Sequence, residues 1–283
     1  METLQFISIA CAVGVFIFLF VKFKRQTFIS GFFSFIAIIV FGATIYFYGI
    51  DRTYSEKTEE APQYIKAANS TEQKEKTAII KIENKVLIDA PVIKQFPELP
   101  RGCEVTTLAM LLGSAGVEVD KMTLAEEIKR DPTPRTINNG EIHFGNPHKG
   151  FVGNMYTFNE PGLGVYHEPI LELAENYLPK KMVNLSGQSF DELKIPISDG
   201  RPVWVIINSQ YRELEDSYFQ IWHTKDGKVR ITMKEHSVLI TGYDDQFVYF
   251  NDPLTGKKNK KAPIKDFEKS WVQMGSQALT YSY

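Results

Sequence analysis

Two long apolar runs open the chain, and the pattern then changes character. Leu4 to Val21 and Thr27 to Ile50 carry no charged side chain. Each is long enough to cross a hydrocarbon core of about 30 Å as a helix. The pattern predicts two transmembrane helices, at about 4–21 and 27–50. The connection Lys22-Phe23-Lys24-Arg25-Gln26 is short and basic. Short basic loops stay on the cytoplasmic side, so everything after Ile50 is expected to face outward. Tyr46, Phe47 and Tyr48 at the outer end of the second run fit an aromatic belt. Other readings fit less well. A cleavable signal peptide needs a basic start, whereas the chain starts Met1-Glu2 and its basic cluster follows the apolar run. A lipid anchor at Cys11 needs an aliphatic residue three positions earlier, where Ser8 stands.

From Asp51 to about Lys85 the pattern is polar, with seven acidic and seven basic residues. This is a linker by composition, and its even charge argues against a polybasic lipid switch. Residues 86–283 then alternate between helical and strand periodicity, enough for one well-cored domain. Val105, Leu108, Ala109 and Leu112 form a helical stripe that opens at Gly102-Cys103 and closes at Gly116. Thr123-Leu124-Ala125-Glu126 reads as a capping box for a second helix reaching about Arg130. Glu168 to Leu178 is a third helix, and Ser189 opens a short fourth.

Strands dominate afterwards. Pro202 to Asn208 reads as a buried strand, and Gln220 to Met233 as a hairpin turning at Asp226-Gly227. Ser237 to Tyr243 and Phe247 to Asp252 form another hairpin. Helices first and antiparallel strands later predict an α+β domain. Asp131 to His167 is rich in Pro, Gly and Asn. It is expected to be a packed loop forming one wall of a binding cleft.

Composition narrows the function classes. The 283 residues carry 32 Lys+Arg against 34 Asp+Glu, a net charge of -2 without the basic excess of a nucleic-acid binder. Two cysteines, Cys11 and Cys103, cannot build a disulfide scaffold or a four-cysteine zinc site. His143 and His148 lack helical metal-ligand spacing, and His167-Glu168 does not extend to H-E-x-x-H. Neither a metal nor a cofactor is expected. Loop or cleft-edge roles are expected for these histidines, and a satisfied strand position for His223.

Cys103 is the candidate for chemistry. Outside the membrane it has no disulfide partner, and it sits in the first turn of a helix. Unpaired N–H groups and the positive dipole end lower a thiol pKa there. Position alone fits a small buried core residue equally well. His236 begins a strand whose return arm carries Asp252. Pairing Tyr243 with Phe247 across a three-residue turn sets Gly242 against Val248, Ile240 against Phe250 and Val238 against Asp252. His236 and Asp252 then share one side of the sheet as diagonal neighbours. A carboxylate accepting the imidazole N–H fixes its tautomer and orientation. Gln95, eight residues before Cys103, could join the Cys103 backbone N–H in stabilising an oxyanion.

The order Gln95, Cys103, His236, Asp252 resembles that of papain-like cysteine peptidases. The match is closest to the C-39-like branch in bacterial surface proteins. It is carried by Gln95…Glu98-Leu99-Pro100-Arg101-Gly102-Cys103-Glu104-Val105-Thr106-Thr107-Leu108-Ala109-Met110, then Asn146-Pro147, Gly150-Phe151-Val152-Gly153, Gly164-Val165-Tyr166 and Pro202-Val203-Trp204-Val205. The strand His236-Ser237-Val238-Leu239-Ile240-Thr241-Gly242-Tyr243 and Asn251-Asp252-Pro253 complete it. The resemblance implies a papain-like fold, N-terminal helices packed on a C-terminal antiparallel sheet. It implies a thiol peptidase with Cys103 as nucleophile, His236 as base, Asp252 as orienter and Gln95 in the oxyanion hole. Tyr166, Phe151 and Asn146 are the expected substrate contacts.

Two features depart from the exporter-linked leader peptidases. Gly102-Cys103-Glu104 replaces Asp-Cys-Gly, and no G-x-x-x-x-G-K-[ST] motif marks a fused ATPase. The expected partners are a peptide or protein substrate and the lipid bilayer, with no nucleic acid. A muropeptide hydrolase of the same chemistry and a non-catalytic surface binding module are the alternatives.

Overall fold

The computed structural model describes residues 82–283. The two predicted membrane spans and nearly all of the linker lie outside the described residues. Among those described, no helix is long and apolar enough to cross a membrane.

In chain order, β1 (Val86–Leu87) leads into α1 (Cys103–Ser114) and α2 (Lys121–Glu127). Four short strands follow, β2 (Arg130–Asp131), β3 (Thr136–Asn138), β4 (Glu141–His143) and β5 (Phe151–Val152). Then come α3 (His167–Tyr177), β6 (Met182–Asn184), α4 (Phe190–Ser198) and β7 (Val203–Asn208). The last part runs β8 (Phe219–Thr224), β9 (Gly227–Thr232), β10 (Glu235–Tyr243), β11 (Phe247–Asp252) and β12 (Lys257–Pro263). It closes with α5 (Ile264–Gln273) and β13 (Ala278–Tyr281).

The main sheet is antiparallel in the order β12-β11-β10-β7-β13-β6, with β1 added at the far end of β10. Every residue of β7 is buried, because both faces of the sheet are covered. Trp204 and Ile206 join Leu239 and Leu279 in a core built with α1, α2 and α3. Val203, Val205 and Ile207 point the other way, into a second core with Phe190 and Leu193 of α4 and Phe267 and Trp271 of α5. The expected layering of N-terminal helices on a sheet is therefore only half of the architecture. The second face is closed by α4 and by α5, an amphipathic helix the sequence reading passed over.

Helix α1 also departs from expectation. Its first ten residues, Cys103 to Leu112, are all buried rather than those of one stripe. It runs through the middle of the domain, against β10, α2 and α3. Gly102 lets it enter that space: a Cβ there would sit 2.6 Å from the Leu99 Cβ. Helix α2 starts three residues earlier than the Thr123 capping box predicts. Asp120 accepts from the Met122 N–H at 2.7 Å and caps it first, Asp being the stronger cap.

Within the stretch expected to be loop, the short strands β3 and β4 form a hairpin that joins β8 and β9 in a small sheet, β3-β4-β8-β9. The β8–β9 hairpin turns at Lys225-Asp226 and belongs to this sheet, not to the main one. Phe144, Val152, Leu163, Tyr166, Trp222 and Ile231 form its own apolar cluster.

The β10–β11 register holds at Ile240↔Phe250 and then shifts at a bulge. Gly242 faces Tyr249 and Tyr243 faces Val248, one residue from the predicted pairs. The bulge sits where β1 comes in on the other side, and a Cβ on Gly242 would lie 2.2 Å from the Val86 carbonyl oxygen. At the opposite end the register is undisturbed, and there His236 and Asp252 come together.

Candidate active site

His236 Nε2 and Asp252 Oδ1 are 2.8 Å apart, both side chains almost fully enclosed. The pairing follows from β10 and β11: both residues point to the face carrying Val238, Ile240 and Phe250. Asp252 is held from every side. Its Oδ1 also accepts from the Leu254 N–H at 3.0 Å. Its Oδ2 accepts from Thr255 Oγ1 at 2.7 Å, Lys260 Nζ at 3.0 Å and the Tyr211 hydroxyl at 3.1 Å. Burial pushes the carboxyl pKa up, but the His236, Thr255 and Lys260 interactions outweigh it and hold Asp252 well below the usual range. The carboxylate occupies Nε2, leaving Nδ1 as the ring nitrogen free for another partner. Tyr211 covers the imidazole edge-on, ring centroids 6.3 Å apart.

Cys103 sits at the mouth of α1, 6% exposed. Two contacts tie this end of the helix to the sheet: Thr107 Oγ1 donates to the Ser237 carbonyl at 3.2 Å, and Trp204 Nε1 to the Glu104 carbonyl at 3.0 Å. The thiol donates to Glu104 Oε2 at 3.2 Å, and among the described residues no hydrogen bond joins it to His236. Burial raises the thiol pKa well above 9.0, and the charges of Glu104 and Glu235 raise it further; the Ser237 backbone N–H acts in the opposite sense. At rest the sulfur is a neutral thiol lying over the backbone of β10 one residue beyond His236.

Two carboxyl groups at this spot escaped the sequence reading. Glu104 follows Cys103, and Glu235 precedes His236. Alternation along β10 turns Glu235 to the side of α1, where it meets Glu104. The Cys103 sulfur and an oxygen of each carboxyl lie within 4.8 Å of one another. Both groups crowd Gly164, where a Cβ would lie 2.0 Å from Glu104 Oε1 and 2.9 Å from Glu235 Oε2. Glu104 Oε1 accepts from the Val165 N–H at 2.7 Å, while Glu235 Oε1 finds no partner among the described residues. Burial pushes Glu104 up to about 7. Burial and the neighbouring Glu104 push Glu235 up as well. The signal in the sequence was adjacency: each carboxyl is one residue from a candidate catalytic group.

Gln95 is buried beside the turn that leads into α1. Its amide nitrogen donates to the carbonyls of Leu99 at 3.2 Å and Pro100 at 3.0 Å, and its oxygen has no partner among the described residues. Phe151 is fully buried and forms the floor of an open cleft of about 470 Å³, walled by Arg130, Arg135, Tyr156 and Pro161. Tyr166 is buried against His148, ring centroids 4.7 Å apart. Asn146 ties its loop to the β8–β9 turn, donating to Asp226 at 3.0 Å, and accepts from the His148 N–H at 3.0 Å.

Helix α1 thus sets Cys103 against the strand that carries the carboxylate-bound His236. The comparisons make the family specific: the chain belongs to the Peptidase_C39 like family, whose model matches residues 87–279. It is 46% identical over 183 residues to the uncharacterised protein YvpB of Bacillus subtilis (strain 168), covering 65% of this chain and 70% of that one. It is also similar to the crystal structure of a candidate C39-like peptidase from Bacillus anthracis. That match has 48% identity and a TM-score of 0.66, over 71% of this chain and 98% of the other.

Proposed function

We propose that this protein is a membrane-anchored, outward-facing cysteine peptidase working through Cys103, His236 and Asp252. The observation that carries the reading is the 2.8 Å His236–Asp252 pair, fixed by the hairpin at the point where the thiol meets the same strand. In this reading Cys103 turns from Glu104 towards the free Nδ1 of His236 and yields its proton. The thiolate attacks a peptide carbonyl, and the tetrahedral intermediate collapses to a thioester as the amine leaves with a proton from His236. Water then releases the acid. The Cys103 backbone N–H and a Gln95 amide freed from its carbonyls stabilise the developing oxyanion. Asp252 holds the ring and its charge. Phe151, Tyr166 and Asn146 shape the substrate side by packing and by bracing the loop. Anchoring rests on the two apolar runs and the basic turn between them.

The test is a digest of a peptide library and of muropeptides by the full-length chain, with Cys103→Ser as the blank. Cleavage present in the parent and lost in the variant supports the reading. Products only from muropeptides would move it to the cell-wall hydrolase. The thiol's bond to Glu104 rather than His236 favours a second reading, a surface binding module that keeps the fold. Under it, neither substrate is cut and Cys103 resists alkylation at neutral pH even when substrate peptides are present.

A further inference from the structure

We propose that Glu141, His143 and His223 form a divalent transition-metal site, suited to Zn2+, that clamps together the two hairpins of the small sheet. The inference is independent of the peptidase reading. The hairpins come from distant parts of the chain, β3–β4 and β8–β9. They join through only two parallel pairs, Ile142↔Trp222 and His143↔His223, with one more backbone bond from Phe144 to the His223 carbonyl at 3.2 Å. Ile142 and Trp222 turn inward to the apolar cluster. Alternation therefore sends Glu141, His143 and His223 to the opposite face.

On that face the three side chains converge. The two imidazoles lie with centroids 5.0 Å apart. Glu141 Oε1 is 3.5 Å from His223 Nε2, and one ligand atom from each of the three residues lies within 4.8 Å of the others. Metal–ligand bonds of about 2.0–2.2 Å place tetrahedral ligand atoms about 3.3–3.6 Å apart. The closest pair already meets that spacing, and the widest closes by little more than about 1 Å through rotation of partly exposed side chains. Among the described residues no side-chain hydrogen bond holds the His143 ring, which tilts against that of His223.

Two imidazoles and one carboxylate are the donor set of a borderline cation, not of Ca2+ or Mg2+, which prefer all-oxygen sites. The fourth position is open to water. Lys228 faces His223 from β9, and Thr136 faces His143 from β3. The lysine is the opposing charge, but its long stem lets the ammonium swing into solvent.

The buried thiol and carboxyls are a competing donor set, so the test uses the full-length chain carrying Cys11→Ala and Cys103→Ala. Zn2+ is titrated in competition with a chromophoric chelator. The expected result is one Zn2+ per chain at micromolar affinity. Affinity should fall about ten-fold or more in His143→Ala and in His223→Ala, but not in His148→Ala. Zn2+ should also raise the melting midpoint of the parent and leave that of His143→Ala unmoved. Binding weaker than about 100 μM, or binding that survives both substitutions, overturns the site; circular dichroism confirms that each variant is folded.

Discussion

Asp252 and the Glu104–Glu235 pair are buried carboxyls on opposite faces of the main sheet, and their pKa values move in opposite directions. Asp252 receives five hydrogen bonds, two of them from groups that carry or can carry positive charge, and stays ionised. Glu104 has one N–H from another residue and a thiol, and Glu235 has an oxygen without a partner. Burial alone does not decide whether an acid keeps its proton; the donors aimed at it do. The sheet thus separates a fixed negative charge that steadies His236 from a poorly supplied acid pair whose charge, where it forms, adds to burial in keeping the thiol protonated.

The largest effect is expected from breaking the well-supplied side. Asp252→Ala strands His236, Lys260, Tyr211 and Thr255 together, and should cost about 3–5 kcal/mol in urea unfolding. A loss under about 1 kcal/mol would show that the network contributes little. Next, the starved pair gives an unusual pH dependence. Glu104 titrates at 4.5 when unperturbed and at about 7 in the fold. The folded state therefore binds more protons in that window, and this group's contribution to stability falls as pH rises through it, with Glu235 acting in the same sense. Glu235→Gln should flatten the decline and stabilise the domain at pH 8 by about 1–2 kcal/mol. Melting midpoints taken across the window decide it, and a parent that grows more stable over the same range would overturn the assignment.

A subtler contrast concerns the sulfur. Glu104→Gln removes one negative neighbour and replaces the thiol's charged acceptor with a neutral amide, so the Cys103 pKa should fall. Iodoacetamide labelling at pH 7 should speed up about ten-fold, one unit of pKa. An unchanged or slower rate in a folded variant would mean that burial alone controls the thiol. The smallest change is Tyr211→Phe, which withdraws one donor of five from Asp252. A loss of about 1 kcal/mol is expected by urea titration, and no loss would mean that Lys260 and Thr255 suffice.

Legibility in the sequence followed the range of the interactions. The α1 boundary, the β10–β11 hairpin and the meeting of His236 with Asp252 rest on local periodicity and one turn, and these could be read directly. The bulge at Thr241 could not, because β1, from more than a hundred residues upstream, comes in there. Glu104 was passed over because a charged residue in a first helical turn ordinarily faces solvent. Here α1 is enclosed all round, which only α2, α3 and the sheet together bring about. The His143–His223 contact hides for the same reason: its residues belong to two hairpins that pair in parallel across 80 positions of chain.

Strand β13 lies between β7 and β6, and it is the last strand of the domain to be synthesised. Among the described residues β6 has no other neighbour in the sheet, so residues 182–184 wait for residues 278–281 before they are seated. Assembly cannot simply keep pace with emergence of the chain from a ribosome or a translocation pore. The whole domain must be delivered before the sheet can close, and until then the apolar face of β7 is left to whatever chaperone or surface is at hand.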